Sequence, residues 1–146
     1  MTDLAPDPAP EPTDPVLVLA RLADAAGHAS TVLFDYRRDN PGAPDLARAL
    51  NLEMTLDQRA IDLRTQAVRM LGEQVGDALA RMQDATKRVD GFLVGVKTSQ
   101  ARFGVASAVI ALAGAALVGD AGGIVSAAAS VCDTLDKLKA AERSQA

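Results

Sequence analysis

The chain of 146 residues has one cysteine, one histidine, one tyrosine, three phenylalanines and no tryptophan. A single Cys132 excludes an intramolecular disulfide and any paired-cysteine metal or redox motif. A single His28 in the middle of a helical pattern leaves metal binding and acid–base chemistry without convergent partners. Glu73 and Asp77 are four residues apart, but Arg69 and Arg81 flank them, as on a solvated salt-bridge face. The glycines fit neither a dinucleotide fingerprint nor a phosphate-binding loop, and no strand pattern supports a nucleotide fold. The reading is therefore of a non-enzyme with no cofactor, no metal and no catalytic residues.

Strong positive charge is also missing. The formal charge is −4. Asp3, Asp7, Glu11 and Asp14 carry all of it, because the first fifteen residues contain no Lys or Arg and the remainder is balanced. A neutral body lacks the basic excess expected of a nucleic-acid binder, so nucleic acid is not an expected partner. The acidic, proline-rich start is the opposite of a secretory signal, which leaves a cytoplasmic or membrane-associated location open. One cysteine fits a reducing compartment, and Cys132, in an Ala/Ser run, reads as a buried and inert thiol.

What is present is apolar and helical. The apolar share is 49%, but aromatics make up only 3%, so Ala, Leu and Val dominate. Residues 1–14 read as a disordered leader, since alternating Pro and acid support neither helix nor core. Residues 15–146 read as a single helical domain. Asp14-Pro15 is a helix start, and steps of three and four from Val18 to Tyr36 make a one-faced helix over about 15–38. The cluster Asp39-Asn40-Pro41-Gly42-Ala43-Pro44 is a turn. Thr55-Leu56-Asp57-Gln58 fits a capping box; whether 45–54 joins the helix that follows is open.

The strongest pattern begins there. Leu56, Leu63, Leu71, Val75, Met82, Val89, Phe92 and Val96 lie on a near-heptad seam, with mixed charges on the opposite face. It predicts one long amphipathic helix over about 55–118, with Gly72, Gly76, Gly91 and Gly95 as the places where it would bend. Residues 103–119 and 121–132 carry no charge, and only Asp120 separates them. One arrangement is a helical hairpin with Gly119–Gly123 as its turn and a last helix over about 122–142. The other is a continuous helix, in which Ser107, Ala111, Ala115, Gly119, Gly123 and Ala127 recur every four residues as a small-residue packing stripe.

The predicted fold class is all-α, an elongated antiparallel bundle with an Ala/Gly-rich apolar hairpin. Its plan resembles helical pore-forming toxins and secretion-system translocators over about 55–142, through the long amphipathic helix leading to an apolar hairpin. The pair of uncharged runs interrupted only by Asp120 predicts a protein that docks or inserts residues 103–132, from Phe103 onward, in a bilayer as an oligomer. The rival expectation is a soluble assembly or adaptor module whose apolar segment is a bundle or subunit core, with self or another helical protein as partner.

Overall fold

The computed structural model describes residues 15–67, 76–119 and 121–144, and the described residues form five helices and no strand. The helices are α1 (Pro15–Asp39), α2 (Leu46–Ala67), α3 (Gly76–Val94), α4 (Ser99–Val118) and α5 (Ala121–Ser144). The leader, Asp120, Leu71, Gly72 and Val75 lie outside the described residues.

Successive helices alternate in direction. Asp24 pairs with Arg64 and Arg37 with Glu53, which sets α1 against α2. His28 meets Asp90 while Arg21 and Asp24 share a cleft with Gln83 and Thr86, so α1 and α3 run the same way. Around the bundle the order is α1, α2, α4, α5, α3 and back to α1, and α1 also packs on α4 across the middle. Among the described residues α2 does not touch α3 or α5, and α1 does not touch α5.

This order explains the composition. α1 is flanked by α2, α3 and α4, and its buried residues accordingly extend well around the helix: Leu19, Leu22, Ala23, Ala26 and Leu33 are all fully buried. Ala and Leu alternate at these places, so neighbouring backbones approach closely while each Leu contributes roughly 1.5–3 kcal/mol by burial. α4 touches every other helix.

The single helix expected over 55–118 is replaced by parts of three helices. α2 begins at Leu46, nine residues early, so 45–54 belongs to it. The Thr55 hydroxyl donates to the Asn51 carbonyl, a helix-interior contact rather than the expected cap. Asp45 does not use its side chain as a cap; its carboxylate accepts from the Tyr36 hydroxyl at 2.8 Å. Between α3 and α4 the helix stops at Gly95, whose N–H donates to the Phe92 carbonyl. Thr98 then caps α4, with extended backbone angles and its hydroxyl accepting from Ala101 N–H at 3.1 Å. Two glycines near the break weaken the helix, and a good cap three residues on starts a new one. Of the expected seam, Leu56 and Leu63 are buried on α2, and Met82, Val89 and Phe92 on α3. Val96 lies in the break and packs on the core from there.

Candidate functional site

The apolar segment folds back on itself. Gly119 ends α4 at φ 78°, and its N–H donates to the Ala115 carbonyl at 3.2 Å. This left-handed cap is the turn of a helical hairpin and replaces the continuous helix. At the opposite end of the hairpin, the Glu142 carboxylate accepts from both Lys97 N–H (2.8 Å) and Thr98 N–H (2.9 Å). Near the same end Leu138 of α5 lies so close to Gly104 of α4 that a Cβ there would fall 2.9 Å from its Cδ1. Glycine lets the two helices meet at that level.

The inward side of α4 mixes large and small side chains, with Ala101, Ala106, Ala113 and Ala116 buried among the larger ones. Phe103, Val105, Val109 and Leu112 are 5% exposed or less, whereas Ser107 and Ala111 face outward. Ala115, Gly119, Gly123 and Ala127 are only partly covered. The expected small-residue stripe therefore begins on the outer surface and is not the seam on which the hairpin closes. Val118, beside the turn, is 80% exposed. Asp120 lies outside the described residues.

Polar groups gather elsewhere. His28 Nδ1 lies 3.2 Å from Asp90 Oδ1 across α1 and α3, with both side chains more than a third exposed. Among the described residues no three metal-ligating side chains converge. Cys132 is half-buried rather than buried. It sits beside Arg88, whose guanidinium is held above its ordinary range first by Cys132 and then by Asp136. The thiol is on the surface-facing side of the Ala/Ser run because α5 packs through Ile124, Ala128, Val131 and Leu135.

Three surface features were not anticipated from the sequence. Tyr36 and Phe103 meet edge to face at 6.0 Å, with Arg102 over the first ring and Arg48 over the second. The Tyr36 hydroxyl is pushed up by its bond to Asp45. Second, Leu50, Met54 and Ile61 stand 43–63% exposed on the outer face of α2, and Phe34 of α1 is 49% exposed. Arg37 lies 5.6 Å over Phe34 and is bound through two nitrogens to the buried Glu53. The signal was in the spacing: Leu50, Met54 and Ile61 fall on the face opposite Leu56 and Leu63.

Third, a groove of about 620 Å³ runs between α3 and α5. Arg81, Asp84, Lys87 and Arg88 form its α3 wall, Asp133 and Asp136 its α5 wall. Ala128, Ala129 and Cys132 line its floor. It continues past Arg88 as a smaller depression of about 240 Å³ beside Gly91 and Leu135. No family model, curated protein or solved structure matches the chain.

Proposed function

We propose that the chain is a non-enzymatic helical assembly or adaptor module whose apolar 103–132 segment is bundle core. The supporting observation is the orientation of α4. A helix in lipid presents its large apolar side chains outward and uses small residues for helix contacts. On α4 the large side chains Phe103, Val105, Val109 and Leu112 point in, together with four alanines, while Ser107 and Ala111 point out and Val118 is the large apolar residue left exposed. Among the described residues the two helices long and apolar enough to cross a membrane are α1 and α4, and these are the pair that braces the middle of the bundle. Partner contact falls instead to outer faces, and the Leu50, Met54 and Ile61 side of α2 offers an exposed apolar one.

Membrane insertion is the competing reading. Its support is the length of α4, 20 residues with mean hydropathy 1.9 over its most apolar window. Insertion requires the hairpin to leave α1, α2 and α3 and expose their buried leucines. Liposome flotation at neutral and acidic pH separates the two. A chain that stays with the soluble fraction supports the module, and flotation that depends on residues 103–132 overturns it.

A further inference from the structure

We propose that the α3–α5 groove is a self-complementary interface that pairs two copies of this chain about a two-fold axis parallel to the helices. The inference rests on the assembly-module reading and names the partner.

The argument is one of charge and shape. The α3 wall carries Arg81, Lys87 and Arg88 against a single Asp84, while the α5 wall carries Asp133 and Asp136. Within this stretch one wall is mainly basic and the other acidic, while Lys137 follows Asp133 on α5 and Lys139 lines the continuation past Arg88. Face-to-face pairing of identical grooves admits two in-plane axes. An axis across the groove sets α3 on α3 and α5 on α5, like charge on like. An axis along the groove sets each α3 on the partner's α5, opposite on opposite, and also keeps all four helices parallel or antiparallel as in a four-helix bundle. Juxtaposed like charges cost several kcal/mol, so the pattern selects the second axis.

Heights along the groove agree. Arg88 already bonds Asp136 of its own chain at 2.7 Å, which shows that these positions share a level. Rotation about the long axis preserves levels, so Lys87 and Arg88 meet the acidic wall of the copy at the same height. Lys87 makes no ion pair among the described residues, and Asp133 reaches only Lys137 of its own helix, at 4.0 Å. Both charges are exposed and open to an intermolecular partner. The Ala128–Ala129–Cys132 floor is recessed, so the charged walls make the contact between the two copies. Cys132, the chain's one cysteine, then lies near the axis in both copies.

The test uses the full chain. Light scattering should give twice the 15.1 kDa chain mass at low salt, and a short bismaleimide should join the two copies through Cys132. Lys87→Glu should raise the dimer dissociation constant about tenfold or more, equivalent to one added like-charge contact. The double exchange Lys87→Glu with Asp133→Lys should restore it, with circular dichroism confirming that each variant folds. A monomer, or a dimer that neither cross-links through Cys132 nor responds to the exchange, overturns the interface but leaves the assembly-module reading standing. Flotation of the same sample on liposomes through residues 103–132 overturns both.

Discussion

At the scale of single residues, Glu53 is the side chain whose environment is most demanding. It is 6% exposed, and Arg37 is its ion-pair partner. A carboxylate out of water needs its counter-charge, so Arg37→Ala should destabilise the fold by roughly 1–3 kcal/mol, read from urea unfolding. Arg37→Met, which keeps the packing but not the donors, should cost about as much; a negligible loss in both would show that water replaces the guanidinium. Gly119 is demanding for a different reason. At φ 78° any other residue carries its Cβ into the following carbonyl. Gly119→Ala should therefore lower stability by roughly 1–2 kcal/mol, although nothing lies within 4 Å of the added methyl. A Gly119→Ala protein as stable as the parent would mean that the hairpin turn is built some other way.

At the scale of elements, the helical class, the first helix and the hairpin were legible because each has a local cause. Pro15 opens α1, the Pro/Gly cluster at 41–44 ends its turn, and Gly119 ends α4. The long helix was misread because the seam of Leu56, Leu63, Met82, Val89 and Phe92 keeps its rhythm through the α2–α3 connection. Periodicity reports which face is buried, not whether the same helix continues. The stop at Gly95–Thr98 depends on a partner remote in sequence: Glu142, some 45 positions on, satisfies the two N–H groups that the break exposes. That contact predicts a local effect. Glu142→Ala should speed amide exchange at Lys97 and Thr98 while the α1 amides stay protected, and Glu142→Gln, which retains an acceptor, should fall between. Uniform exchange across all three proteins would show that the bridge does not hold this turn. The exposed faces were only half legible for a related reason, since spacing separates the two faces of α2 but does not say which one is covered. Leu50, Met54 and Ile61 look like core in a sequence, and only the packing of α1 and α4 on the opposite side of α2 shows that they are left over.

At the scale of the whole molecule, the contrast between the two sides of α4 can be tested by substitution. Leu112→Ala should cost about 2–5 kcal/mol, since Leu112 is fully buried and its loss would leave a cavity in the core. Ser107→Leu, one turn away but facing out, should change stability by less than about 0.5 kcal/mol. If the serine substitution proves the costlier of the two, the outer side of α4 is covered by something in solution. A different consequence follows from the odd number of helices. With five alternating directions, α1 starts at one end of the bundle and α5 finishes at the other. The two helices do not touch. A pull applied to the start of α1 and the end of α5 therefore runs along the helix axes and is carried by α3 and α4, each of which touches both. The interfaces are loaded in shear, all at once, instead of being peeled apart one by one.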